Sequence, residues 1–363
     1  MNRKKIAIAG VAVALGTWLG WAGYQSSLEH RIEQEYQLAA DAGIPTRPED
    51  LQQKRVFPNA AHLYRQASDG ILSLSPDDRK AWNSAINLES KAKAADREKA
   101  LKRFSAILST FDTAAKMEDC FFGRDYRHGY NLLLPEYATM LQAVNAKVTL
   151  ADAARDRGER RAALVHLTDA ARIARHVASD DGELATSVRS RAEAAIVPRL
   201  MALRPDPPEA TAALRALGPV PNPRRDLGVE LVFFRVSRPI AQQYGGWSRL
   251  FTDFGMKSED LDTRPLQDTL HDMGITRASV DLETVRALRA AAESVPERPR
   301  SREDFAAYLD ARKLLPNVGS MVRNVYRFRA MLSEYPEAYF SLVNHRERLR
   351  AISNAAAGTR PTE

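Results

Sequence analysis

One segment ahead of a predicted helix concentrates the side chains that are best suited to chemistry. It combines carboxylates and an imidazole, which transfer protons, with a guanidinium suited to anions and an aromatic ring. These candidate binding residues are Asp125, Arg127, His128, Tyr130 and Glu136. Because loops on rigid helical scaffolds often carry binding residues, we predict a binding site in the loop of residues 124–137.

The same loop has a purely structural interpretation. Tyr126 and Tyr130 would then anchor it in the core, while its charges cap helix ends or face solvent. No nucleophile, base and orienting group can be placed together from these residues, so we assign no catalytic residue. The seven histidines show no metal-ligand spacing, and we predict neither a metal nor a cofactor. The single cysteine, Cys120, excludes an intramolecular disulfide.

A second group of candidates lies near the C-terminus, where arginines alternate with apolar residues on predicted helices. We interpret them as a solvated basic face, whose aliphatic stems cover apolar neighbours. Such a face is also suited to lipid head groups or an acidic envelope polymer. The residues of this basic face are Arg323, Arg327, Arg346 and Arg350.

The N-terminus has the pattern of a membrane anchor. Residues 6–24 form an uncharged run of about 19 residues, close to the roughly 20 that span a bilayer. Arg3, Lys4 and Lys5 precede it, and acidic residues follow it. By the positive-inside rule, we predict a single-pass inner-membrane protein with its N-terminus in the cytoplasm and its body outside. A cleaved signal peptide is the alternative.

The remaining chain has helical periodicity, and we find no convincing run of alternating β-branched residues. We therefore predict an all-α fold, with a transmembrane helix followed by a helical bundle or irregular, solenoid-like hairpins. Short joints favour antiparallel neighbours. The predicted parts are an anchor (1–26), a helical stalk and Pro-containing linker (27–58), a first helical subdomain (59–204), a Pro-rich connection (205–225), a second helical subdomain (226–354) and a flexible tail (355–363).

Two stretches carry resemblances to known proteins. GERRAALVHLTDA at residues 158–170 resembles the second half of a tetratricopeptide repeat, although it occurs once and not at a period of about 34 residues. GIPTRPEDL at residues 43–51 and NAAHLYRQA at residues 59–67 resemble a loosely defined set of uncharacterised bacterial envelope proteins with one anchor and a helical body. That resemblance implies topology and transfers no site residues.

Together these features favour a membrane-anchored protein that binds or scaffolds an envelope partner without catalysis. The alternative is an enzyme or small-ligand binder that uses the loop of residues 124–137. The net charge of +7 suits anionic lipid or polymer. A nucleic-acid partner is not expected for a body outside the cytoplasm.

Overall fold

The computed structural model describes residues 3–51, 57–132, 134–177, 179–243, 277–299, 301–305 and 321–355. Every regular element in this part of the chain is a helix, which confirms the all-α prediction. The α-helices are α1 (Arg3–Asp41), α2 (Ala61–Leu72), α3 (Pro76–Ile86), α4 (Ala94–Lys102), α5 (Ser105–Lys116), α6 (Glu136–Asp156), α7 (Arg160–Val177), α8 (Glu183–Ala202), α9 (Pro207–Leu217), α10 (Pro223–Gln243), α11 (Arg277–Ser294) and α12 (Met321–Ala355). Short 3-10 helices span Pro48–Leu51, Tyr126–Asn131 and Arg302–Phe305.

The predicted membrane span falls in the first half of α1. Among the residues whose side chains are described, no helix is both long and apolar enough to cross a membrane. Those side chains begin at Leu15 in α1, so the predicted span of residues 6–24 lies only partly among them.

The described structure divides into two compact units. Unit 1 comprises Met1–Asp50, Tyr126–Tyr130 and Leu227–Ala330, and unit 2 comprises Leu51–Asp125, Asn131–Asp226 and Met331–Glu363. Residues 27–50 of the predicted stalk and linker lie in unit 1. The change of unit at Leu227 falls two residues after the predicted Pro-rich connection, which ends at residue 225.

The second half of α1 contributes one side of the apolar interior of unit 1. Its apolar residues recur at spacings of three and four, from which the sequence predicts a helix, and the structure buries them as one stripe. This stripe consists of Leu28, Ile32, Tyr36 and Ala39. Buried residues of α10 and α11, such as Val232 and Val285, complete the apolar interior.

Ion pairs among the described residues of unit 1 fix the alignment of its helices. Arg235 of α10 pairs with Glu33 of α1 at 2.6 Å. Arg238 bridges Glu29 of α1 and Asp281 of α11. Glu35 accepts hydrogen bonds from Arg286 at 2.6 Å and Arg289 at 2.9 Å, both on α11. The acidic residues that follow the apolar run are therefore held by arginines far along the chain.

Unit 2 has α6, α7 and α8 at its centre, packed as neighbours. Small buried residues such as Ala143, Ala146, Ala170 and Ala174 let α6 and α7 approach closely. Helices α2 to α5 add larger side chains to the same core, and the largest of these, Trp82, is fully buried. Gly158, at a φ of 79°, makes the turn between α6 and α7.

The sequence also predicts a helix start at Ser75 and separate helices over residues 321–332 and 338–352. These two predictions had different outcomes. Ser75 caps α3, accepting a hydrogen bond from the N–H of Asp78, with Pro76 at the first helical position, as predicted. Pro336, in contrast, does not separate two helices, because α12 runs through it. Tyr335 and Tyr339 beside it are buried, and this packing offsets the missing backbone hydrogen bond. A predicted helix over residues 305–315 lies largely outside the described residues.

Candidate functional site

The predicted binding loop is divided between the two units. Asp125 and Glu136 belong to unit 2, whereas Arg127 and His128 belong to unit 1. Arg127 and His128 are exposed, and Asp125 is half-buried. The side chain of Tyr130 lies outside the described residues. The five predicted residues therefore do not form a single cluster within either unit.

Glu136, at the first position of α6, is the centre of a buried network in unit 2. Its Oε1 accepts a hydrogen bond from Nε of Arg65 at 3.0 Å, and its Oε2 accepts one from Nη1 of Arg124 at 2.9 Å. Burial acts to raise the pKa of Glu136, but the hydrogen bonds from both arginines outweigh it and hold the pKa below its usual range. Glu136 is therefore ionised and holds both arginines in place inside unit 2.

Arg124 links Glu136 to a second buried carboxylate. Its Nε donates to Oδ2 of Asp180 at 2.9 Å, and the same oxygen accepts from the hydroxyl of Tyr137 at 3.0 Å. The guanidinium also lies over the ring of Phe122, 4.4 Å from its centroid. Burial raises the pKa of Asp180 although Arg124 opposes the shift. These contacts fix the loop before α6 against the end of α7.

A neutral histidine and a buried thiol complete the polar interior of this region. The hydroxyl of Tyr64 lies 2.8 Å from Nδ1 of His176, and Nε2 lies 3.2 Å from the carbonyl of Met117. Nε2 therefore carries the proton, because a carbonyl can only accept. Burial lowers the pKa of His176 to about 4 and raises the pKa of the Cys120 thiol. A neutral imidazole with both nitrogens engaged and a protonated thiol favour a structural role.

The predicted basic face requires a correction at Arg346. This side chain is buried, at 2% exposure, and both its Nη atoms bind Glu193. Arg189 donates to the same carboxylate at 2.9 Å. Arg346 faces inward because it shares the buried face of α12 with Leu342 and Leu349.

The other three members of that predicted face have different positions. Arg350 is exposed, as the prediction requires, whereas the side chains of Arg323 and Arg327 lie outside the described residues. Among the described residues the predicted face thus retains one exposed arginine, and its binding role stays a prediction.

Asp226 forms a further buried centre that the sequence reasoning missed. Its carboxylate accepts hydrogen bonds from the backbone N–H of Gly182 at 3.0 Å, from Thr186 at 2.5 Å and from Tyr335 at 2.9 Å. Burial raises the pKa of Asp226 to about 6 despite these donors. In the sequence, the only indication of this buried centre is one carboxylate that directly precedes the apolar residues of α10.

The exposed apolar surface of α1 is the remaining candidate site. In the described part of the first half of α1, large apolar side chains are 42–61% exposed. These residues, called here the apolar segment, are Leu15, Trp18, Leu19, Trp21 and Tyr24. Contiguous exposed apolar residues mark a surface for a membrane or a protein partner.

Comparisons of this chain with family models, with curated proteins and with solved structures gave no match. The resemblance to single-anchor envelope proteins therefore stays a prediction, and the site must be interpreted from its own chemistry.

Proposed function

We propose that this chain is a single-pass membrane protein whose helical body, outside the cytoplasm, binds or scaffolds an envelope partner. In this proposal residues 6–24 are an uncleaved anchor, and no catalysis is assigned to the body. The inner membrane is the location that follows from the cations at the N-terminus.

The exposure of the apolar segment is the observation that supports the proposal. Trp18 and Leu19 are 60% and 61% exposed, whereas Leu28 and Ile32 on the same helix are buried. In water such a row of exposed apolar side chains is unfavourable, at about 25 cal/mol per Å². A bilayer would cover it, and Trp21 and Tyr24 would then lie at the interface that aromatic residues prefer.

The internal pairing of the charged groups supports a binding or scaffolding role over catalysis. Glu136, Asp180 and Glu193 are each engaged by arginines inside unit 2. These ion pairs hold the helices in a fixed geometry, as a scaffold requires. They also occupy the carboxylates that acid–base catalysis would need.

The test of the anchor is membrane retention of two arginine variants. Leu15→Arg combined with Leu19→Arg places two charges in the proposed span, so we expect the chain to move to the soluble fraction. Leu38→Arg is the matched control, because Leu38 is 50% exposed on the same helix beyond the span. The parent and the control should stay in the pellet after alkaline carbonate extraction.

Two results would reject this anchor. Extraction of the parent by carbonate would show that the chain does not span the bilayer. An intact mass that lacks the first residues would show signal cleavage instead. Helicity measured by circular dichroism must be equal in all variants, so that misfolding is not read as release.

A second candidate function, small-ligand binding beside Glu136, is favoured by one observation. Nη2 of Arg124 is buried, and among the described residues it has no acceptor. A polar ligand atom or a water would satisfy it. Native mass spectrometry of the detergent-solubilised chain should then show a bound mass that Arg124→Lys removes. A spectrum of the parent with the bare chain mass alone rejects this second function.

A further inference from the structure

We propose that the end of unit 1 nearest Tyr24 rests on phospholipid head groups, and that Arg31 binds their phosphates. This inference rests on the membrane anchor proposed above. It adds to that anchor a defined lipid-contact surface on the folded body, which includes parts of α1, α10 and α11.

The first support is the short distance between the apolar segment and the folded unit. Helix α1 is continuous from Arg3 to Asp41, and Leu28 is the first buried residue after Tyr24. Four residues of helix cover about 6 Å. The head-group layer on each side of a bilayer is about 5–8 Å thick. Unit 1 therefore begins within the head-group layer when Tyr24 lies at the interface.

The second support is the direction of α10. Its Gly228 lies beside Pro45, its Arg235 pairs with Glu33, and its Arg238 pairs with Glu29. This order shows that α10 runs antiparallel to α1. The helix continues five residues beyond Arg238 to Gln243, which extends it by about 7 Å. Its C-terminal end is therefore level with Tyr24.

The third support is the direction of α11. Asp281 shares Arg238 with Glu29, whereas Arg286 and Arg289, later in the helix, bind Glu35. This order shows that α11 runs parallel to α1. It begins at Arg277, four residues before Asp281, so its first turn also reaches the level of Tyr24 and Gln25. Two helix ends thus lie beside α1 at the proposed membrane surface.

The charges at this end of unit 1 suit anionic head groups. Glu29 and Glu33 are paired with arginines, so they present less negative charge to phosphates. Arg31 of α1 is exposed. Side chains of an α-helix lean toward its N-terminus, which here is the membrane side, so the guanidinium extends toward the lipid. Guanidinium and phosphate form strong bidentate hydrogen bonds.

The position of the surface is tested with the full chain in nanodiscs that contain lipids with a quencher on the head group. A fluorophore is attached at Glu283→Cys, an exposed position of α11 near the level of Arg31, or at Asp41→Cys, the exposed last residue of α1. Cys120 is buried, so the label reacts with the introduced, exposed cysteine. We expect several-fold stronger quenching at position 283 than at position 41.

The role of Arg31 is tested by the lipids that remain bound. Mild detergent extraction followed by lipid mass spectrometry should find fewer anionic phospholipids with Arg31→Glu than with the parent. Arg47→Glu, at an exposed position beyond the end of α1, is the charge-matched control and should retain them.

The outcomes separate this inference from the anchor proposal. A chain that fails to enter nanodiscs contradicts the anchor. A chain that enters them but shows equal quenching at positions 283 and 41 overturns the lipid-contact surface and leaves the anchor intact. Equal anionic lipid with Arg31→Glu and Arg47→Glu overturns phosphate binding by Arg31.

Discussion

At the scale of single residues, the interior of unit 2 holds charges in compensating groups. Glu193 is fully buried between Arg189 and Arg346, and His345 lies 3.4 Å from it. Burial acts to raise the pKa of Glu193, but the hydrogen bonds from Arg346 and the nearby His345 and Arg189 lower it to about 2. The carboxylate is thus ionised at neutral pH and balances the guanidinium groups.

Removal of that carboxylate should be strongly destabilising. Glu193→Gln leaves two buried arginines without their counter-ion, so we expect a loss of about 3–5 kcal/mol in the free energy of unfolding. Urea titration of the detergent-solubilised chain, followed by circular dichroism, measures it. Arg350→Gln on the exposed side of α12 is the control and should stay within about 0.5 kcal/mol of the parent. Equal midpoints for the two variants would contradict the prediction.

Asp226 should contribute more to stability in mild acid than at neutral pH. Its pKa is raised from 3.8 to about 6 in the folded state, so the folded state binds the proton more tightly than the unfolded state. Its contribution to stability therefore grows as the pH falls from about 7 to 4, by about 3 kcal/mol at roughly 1.4 kcal/mol per pKa unit. Over that range Asp226→Asn should lose about 3 kcal/mol more stability than the parent, whereas the exposed-site variant Glu347→Gln should follow the parent. The free energies of unfolding of the parent and both variants, measured across that pH range, test this prediction.

His176 should act in the opposite direction over the same pH range. Burial lowers its pKa from 6.5 to about 4, so the unfolded state takes up a proton that the folded state excludes. Stability is then lost as the pH falls from 6.5 toward 4, by about 3 kcal/mol. His176→Gln should be less stable than the parent at pH 7 but less sensitive to acid. His62→Gln, at an exposed position, should show the parent's acid sensitivity; an unchanged slope for His176→Gln would contradict this assignment.

At the scale of elements, α1 changes character along its length without a break. The large apolar side chains described from Leu15 to Tyr24 are exposed, whereas from Leu28 onward one face of the helix is buried in unit 1. The close approach of α10 to the chain after α1 depends on Gly228. A Cβ at this position would lie 2.5 Å from Cδ of Pro45 and 3.0 Å from its backbone nitrogen.

Two alanine variants should therefore shift stability in opposite directions. Gly228→Ala should destabilise unit 1 by about 1–3 kcal/mol, because backbone must move to admit the methyl group. Gly70→Ala should stabilise by up to about 1 kcal/mol, since it improves helix propensity in α2 and its Cβ would meet Ile107 at an ordinary 3.5 Å. Thermal melts of both variants measure the effect. A stabilised Gly228→Ala would mean that α10 and Pro45 do not approach so closely.

At the scale of the whole molecule, the proposed orientation depends on the charges that flank residues 6–24. Glu29, Glu33 and Glu35 are paired within unit 1. The proposed orientation therefore depends on the cations at Arg3, Lys4 and Lys5. A reporter that is active only outside the cytoplasm, fused after Ala355, should be active. The same reporter fused before Met1 should be silent. Activity of a cytoplasm-dependent reporter at the C-terminal fusion would reverse the orientation.

The sequence by itself determined the features that depend on neighbours along the chain. The buried stripe of α1, the Ser75 cap and the turn at Gly158 were all recognisable, because helical periodicity and capping involve residues a few positions apart. The apolar run of residues 6–24 was equally evident from composition.

Only the tertiary structure decided which charges meet and which parts of the chain share a unit. Glu193 and Arg346 are 153 positions apart, and Glu35 and Arg289 are 254 positions apart. Among the predicted site residues, Glu136 and Arg346 proved to be buried in ion pairs rather than available on a surface. An arginine on an amphipathic helix has the same local pattern whether it faces solvent or a buried carboxylate. The difference is set by which distant helix packs against it, and that information is not contained in local spacing.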